Sequence, residues 1–160
     1  MSKLTMMNEA AKKGDLELIK RLCQEGCHWD EETCVNAAKG GHLECLKYLH
    51  ENDCPWDATT CDLAAKNGHL ECLKYLHENE CPWDKRTLAY ASGNGHLECL
   101  EYAHEHDCPW NKEVCVEAAY NGHLRCLKYL CNKGRHPYNK ERYIEATRYL
   151  KCLKYLHESK

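Results

Sequence analysis

The sequence predicts an all-α protein, a solenoid of six stacked helix-turn-helix units, and three observations carry that prediction. A near-identical block recurs every 27 residues, as Gly41–His50, Gly68–His77, Gly95–His104 and Gly122–Cys131. Self-similarity at such a period marks segments that cannot bury an apolar face alone and must stack on their neighbours. Weaker copies at Asp15–Cys23 and, after a slip in register, at Leu150–His157 extend the repetition over essentially all 160 residues. No linker rich in Pro, Gly or Ser interrupts the series, so 1–160 reads as one elongated repeat domain. The repeats fall at about 1–27, 28–54, 55–81, 82–108, 109–136 and 137–160, four regular ones between two atypical ends whose outer faces must meet water.

Taken in order, the first repeat carries Lys12, Lys13 and Lys20, which suit a water-facing cap. Each regular repeat reads as two short helices. In 55–81, Asp57 stands where an N-cap side chain accepts a backbone N–H, and Ala58 to Lys66 are good helix formers with Cys61, Ala64 and Ala65 at core spacing. Asn67-Gly68 ends that helix, because Gly tolerates the left-handed conformation of a C-terminal cap. A second helix starts at His69 and turns Leu70, Cys72, Leu73 and Leu76 toward the stack, with Glu71 and Lys74 paired on the outside. Glu80-Cys81-Pro82-Trp83-Asp84 closes the repeat: Pro82 stops the helix, Trp83 buries its ring between repeats and Asp84 caps the next first helix. On this scheme Trp56→Ala or Trp83→Ala costs about 3–5 kcal/mol. His42, His69, His96 and His123 each follow a helix-ending glycine and read as structural, bonding backbone in the turn and tying one repeat to the next. In the last repeat Lys133–Asn139 replaces the usual loop, Tyr138 stands for Trp, and Arg142, Lys151 and Lys160 suit a second cap.

Composition narrows the partners. With 22 basic against 25 acidic residues, a net charge of -3 and no basic cluster, the chain lacks the footprint of a phosphate-backbone binder, so nucleic acid is not expected. No segment approaches the roughly 18 apolar residues of a membrane span, and the N-terminal residues do not read as a signal peptide. A monomeric, cytoplasmic protein is the expectation, and its 14 cysteines then read as reduced thiols packed as small apolar side chains rather than as a disulfide framework.

The segment Thr59–Leu76, with the Ala-Ala pairs Ala10-Ala11, Ala37-Ala38, Ala64-Ala65 and Ala118-Ala119 and the four Gly-His pairs, resembles the ankyrin repeat, whose pattern runs T-P-L-H-x-A-A, then G-H, then an apolar helix. The chain departs from that pattern twice. An ankyrin repeat usually has about 33 residues, and the residues missing here fall between Asp84 and Thr87 and at the equivalent places, where the family builds its projecting hairpin; little or no β-hairpin is therefore expected. Cys-Pro-Trp-Asp at Cys54–Asp57 and Cys81–Asp84 replaces the usual Ala-Asp-Val-Asn. This short, cysteine-rich variety is similar to ankyrin proteins of giant DNA viruses and protists, and the resemblance would place a viral member in the host cytoplasm.

What the resemblance implies is protein binding without catalysis and without a cofactor, on the exposed faces of the first helices. Comparison among the chain's own repeats points to the same face. One stripe varies where the framework does not: Glu32, Asn36, Lys39; Thr59, Leu63, Lys66; Arg86, Tyr90, Gly93; Glu113, Glu117, Tyr120. Spacings of four and three put each trio on one helical face. A varying face is also what plain solvation produces, but Leu63, Arg86, Tyr90 and Tyr120 are the residue types of binding hot spots. The partner-binding candidates are Leu63, Lys66, Arg86, Tyr90, Glu117 and Tyr120. The outer stripe of the second helices, Glu44 and Lys47 through Glu71 and Lys74, reads as a solvated charge ladder.

The competing reading is structural zinc. His50, Cys54 and Cys61 form a cluster that His104, Cys108 and Cys115 repeat, and Cys23, Cys27 and Cys34 are its upstream counterpart. Zinc tolerates interchange of imidazole and thiolate. Against it, Met7, Leu88 and Tyr143 stand where Cys61 and Cys115 do, which an apolar pocket accepts and a four-ligand site does not. Catalysis fits less well, since an active site is one asymmetric constellation whereas these Cys and His residues recur with the repeat.

Overall fold

The computed structural model of the chain describes residues 2–133. They form ten helices and, among the described residues, no strand, and they divide into two compact lobes, the first closing at Trp83 and the second opening at Asp84. The first lobe holds three helix pairs: α1 (Lys3–Lys13) with α2 (Leu16–Gln24), α3 (Glu31–Gly40) with α4 (Leu43–Glu51), and α5 (Ala58–Lys66) with α6 (Leu70–Glu78). The second holds α7 (Lys85–Gly93) with α8 (Leu97–Glu105) and α9 (Lys112–Tyr120) with α10 (Leu124–Lys133). Within each lobe, first helices pack on first helices and second helices on second helices, which is the two-layer solenoid expected. The sixth repeat, with Tyr138, Arg142, Tyr143, Lys151, Lys160 and the Leu150–His157 block, lies outside the described residues.

The layers follow from side-chain size. Ala37, Ala38, Ala64 and Ala65 are fully buried and let α3 and α5 approach closely, while Leu46, Leu49, Leu73 and Leu76 fill the layer of second helices. In the second lobe Ala118 and Ala119 on α9 and Leu127 and Leu130 on α10 are likewise buried. Each first helix starts as the sequence requires. Asp57 Oδ1 accepts the Thr59 N–H at 2.9 Å, and the buried Thr60 hydroxyl accepts the Asp57 N–H at 3.4 Å, a reciprocal capping box. Asp84 and Asn111 cap α7 and α9 in the same way, through the amides of Arg86 (2.7 Å) and Glu113 (3.0 Å).

The histidines after the helix-ending glycines tie repeats together. His42 Nε2 donates to the Lys12 carbonyl and His69 Nε2 to the Lys39 carbonyl, both at 3.0 Å. Gly41 makes this approach feasible. Its φ is +74°, and a Cβ there would collide with the His69 imidazole.

Cys-Pro-Trp-Asp supplies the return loop. Cys54 donates its S–H to the Asp30 carbonyl (3.6 Å), Cys81 to that of Asp57 (3.3 Å) and Cys108 to that of Asp84 (3.4 Å), always one repeat back. The buried thiol therefore stitches a loop to the preceding cap. The tryptophans differ from expectation. Trp56 and Trp83 are half-buried rather than sealed between repeats, each stacked on a histidine in the last turn of the second helix before it: His50 with Trp56 at 3.8 Å and His77 with Trp83 at 4.0 Å between ring centroids. An indole that is only half-buried loses less on truncation than a core aromatic.

Candidate protein-binding face

Helical periodicity turns one stripe of each first helix away from both layers. On α5, Leu63 is half-buried and Lys66 exposed; on α7, Arg86 and Tyr90 are exposed; on α9, Glu117 and Tyr120 are exposed. Tyr90 shows 37% and Tyr120 66% of its surface, and Val116, which comparison of the repeats did not single out, shows 45%. These aromatic and branched side chains are presented to solvent by the architecture rather than required by it. The six predicted residues divide between lobes, Leu63 and Lys66 in the first and the other four in the second.

Arg86 and Glu117 are held by neighbours. The Arg86 guanidinium meets the Asp84 carboxylate at 3.1 Å, and the Arg86 amide, with that guanidinium, holds the Asp84 carboxyl below its ordinary value. Arg86 is thus partly engaged in capping α7. Glu117 lies over Gly93, whose missing side chain leaves room for it: a Cβ on Gly93 would stand 3.2 Å from the Glu117 Cβ. In the first lobe a shallow polar groove of about 420 Å³ runs between α1 and α3, lined among others by Asn8, Glu9, Lys12, Glu32, Asn36 and Lys39. Glu32, Asn36 and Lys39 are the α3 members of the variable stripe.

The outer stripe is the charge ladder expected, with Lys47 on Glu44 at 2.9 Å and Lys74 on Glu71 at 2.8 Å, both exposed i,i+3 pairs.

The residues of the zinc alternative have other partners. His50 Nδ1 lies 3.0 Å from the Tyr75 hydroxyl, and His104 Nδ1 lies 3.0 Å from that of Tyr129. Cys23 occupies the His50 position one repeat earlier, and burial together with a hydrogen bond to the Cys23 thiol raises the Tyr48 phenol. His and Cys interchange because either one bonds the tyrosine of the next second helix. Cys54 and Cys108 are committed to loop carbonyls, Cys34 and Cys61 reach the carbonyls of Cys54 and Cys81 at 3.9 Å, and Cys27 reaches the His28 carbonyl at 3.4 Å. Cys115 is half-buried on α9. Among the described residues no three His, Cys, Asp or Glu side chains converge as a metal would need. Burial pushes Cys72 and Cys126 up to about 11, and a hydrogen bond with Cys54 together with burial raises Cys34, which disfavours the thiolates that a metal or nucleophilic site uses.

The His–Tyr contacts, the His–Trp stacks and the asparagines of the turns are what sequence reasoning missed. Asn67 donates its amide to the Leu63 carbonyl at 2.8 Å, and Asn52, Asn79, Asn94 and Asn121 repeat the bond. His106 takes the same place, its Nδ1 2.8 Å from the Tyr102 carbonyl. A signal was present: a tyrosine stands 25 residues after each of Cys23, His50 and His104.

Comparison with known proteins agrees with this architecture. A family model for ankyrin repeats, described as three copies, matches residues 7–87 and 61–141. No curated protein sequence matches the chain. Among solved structures, the human ASB11 ankyrin repeat domain aligns over 81% of this chain and 69% of its own, with a TM-score of 0.70 at 23% identity, a likeness of fold. With the family pattern spanning most of the sequence and the paired helices, Gly-His turns and two-layer stacking all in place, the chain belongs to the ankyrin repeat family.

Proposed function

We propose that this chain is a non-catalytic protein-binding module whose contact residues are Leu63, Lys66, Arg86, Tyr90, Glu117 and Tyr120 on the first-helix faces of its two lobes. Ankyrin repeats are generally protein–protein interaction modules. The observation that carries the reading is the exposure of Tyr90 and Tyr120 on a stripe that varies while the framework around it is constant. Tyrosine brings large contact area at a low cost in side-chain entropy, which is why it dominates binding hot spots. No helix among the described residues is long and apolar enough to cross a membrane. We place the protein in the cytoplasm as a monomeric single repeat domain without a metal, and regard its Cys-Pro-Trp-Asp loops as the mark of the short-repeat variety it resembles.

The test compares proteins retained from a cell lysate by the wild type, by Tyr90→Ala/Tyr120→Ala and by an outer-stripe control, Lys47→Ala/Lys74→Ala, followed by titration of any retained partner. The tyrosine pair is expected to weaken that partner at least about 30-fold, roughly 2 kcal/mol, and the control to leave it unchanged. Equal retention by all three sinks the assignment of the face.

A further inference from the structure

Lys12, Lys39 and Lys66 occupy one position in three successive first helices of the first lobe, in the last turns of α1, α3 and α5, and all three are exposed. Lys12 and Lys39 line the same groove. Histidine ties fix the backbone of the first two, since the carbonyls of Lys12 and Lys39 are the acceptors of His42 and His69. A lysine near a helix C-terminus complements the helix dipole, yet α7 and α9 close with no basic residue in the last turn, so helix termination here does not require one.

From this ladder we infer that the first lobe binds an acidic, extended segment of a partner protein with carboxylates at every third residue. The inference rests on the protein-binding reading and names the chemistry of the partner. Helices packed side by side lie about 8–10 Å apart, which sets the spacing of the rungs. A polyproline-II segment rises about 3.1 Å per residue with three residues per turn, so its every third side chain projects on one side at about 9.3 Å. A β-strand does not match, because its side chains alternate and positions three apart face opposite ways. The acidic groups of the groove stand at its other end or are only loosely paired with Lys12. Asp30 is turned to Asn8 and Thr33 at its other end, Glu32 is in the first turn of α3, and Glu9 stands 4.0 Å from Lys12 as a loose exposed pair that an incoming carboxylate replaces.

The probe is a fluorescein-labelled peptide of three Glu-Pro-Pro triplets, read by anisotropy against an isomer with its glutamates contiguous. The triplet peptide is expected to bind about tenfold more tightly than the isomer, and Lys12→Gln/Lys39→Gln/Lys66→Gln to lose about tenfold, the sum of three exposed ion pairs. About 0.5 M salt, where the screening length falls to about 4 Å, should remove binding. Lys39→Gln alone, expected to lose about twofold, guards against a folding defect in the triple variant, whose thermal transition is followed by circular dichroism. Equal affinity for the two isomers, undiminished binding by the triple variant, or no binding of either peptide overturns the inference. If the peptides fail while Tyr90→Ala/Tyr120→Ala still releases a lysate partner, only the acidic-segment assignment falls; if both fail, the protein-binding face falls with it.

Discussion

Gly41 and Gly26 share a left-handed backbone, φ +74° and +73°, but differ in what surrounds them. A side chain on Gly41 meets the His69 ring, whereas nothing lies within 4 Å of one on Gly26. Gly26→Ala should therefore cost only the conformational term, about 1 kcal/mol. Gly41→Ala adds displacement of a ring bonded to the neighbouring repeat and should cost about 2–4 kcal/mol. Urea unfolding of the two variants separates these contributions, and equal losses would show that the imidazole moves aside freely. The role of the Gly-His pair was legible because both residues recur at one spacing. The role of His50 was not. Its tyrosine partner is 25 residues away, and cysteine in its place at Cys23 imitated the signature of a metal site.

Helices and loops meet at the tryptophans. The spacing of Cys-Pro-Trp-Asp correctly located the return loops and the caps that follow them, since proline and aspartate act locally. How deeply the indole sits depends on the side chain across from it, and the motif is silent about that. With Trp56 half-buried against His50 and edge-on to Tyr75, Trp56→Ala is expected to cost about 2 kcal/mol rather than the 3–5 of a sealed ring. Denaturant titration measures it; a loss below about 1 kcal/mol would mean that the stack contributes little. The face candidates show the same division, since periodicity placed Arg86 and Glu117 on the exposed stripe but could not show the former held by Asp84 and the latter seated over Gly93.

At the scale of the molecule, the thiols make stability depend on alkali. Cys72 and Cys126 rise from an ordinary value of 9.0 to about 11 in the fold, chiefly because burial disfavours the thiolate. Below 9.0 both folded and unfolded chains keep these protons and the contribution is complete. Between 9.0 and 11 the unfolded chain releases protons that the folded one retains, so stability falls as pH rises. Each such thiol contributes a slope of about 1.4 kcal/mol per pH unit in that window. Cys72→Ala should flatten the loss between about pH 8 and pH 10.5, measured as urea midpoints, while lowering stability at neutral pH by the cavity it leaves. An unchanged slope would show that Cys72 titrates as freely folded as unfolded.

The histidine ties also give the array a direction. His42 and His69 make no side-chain cap to their own helices; each spends its imidazole on a carbonyl one repeat upstream. Asp15 holds the corresponding place in the first repeat and caps α2 from within, accepting the Leu18 amide at 2.9 Å. A repeat opened by aspartate asks nothing of a predecessor, whereas one opened by histidine is complete only behind another. Shuffling repeats is therefore not a neutral operation: a histidine-opened repeat moved to a place with nothing before it carries an imidazole with no carbonyl to meet, whereas an aspartate at that position caps its own helix.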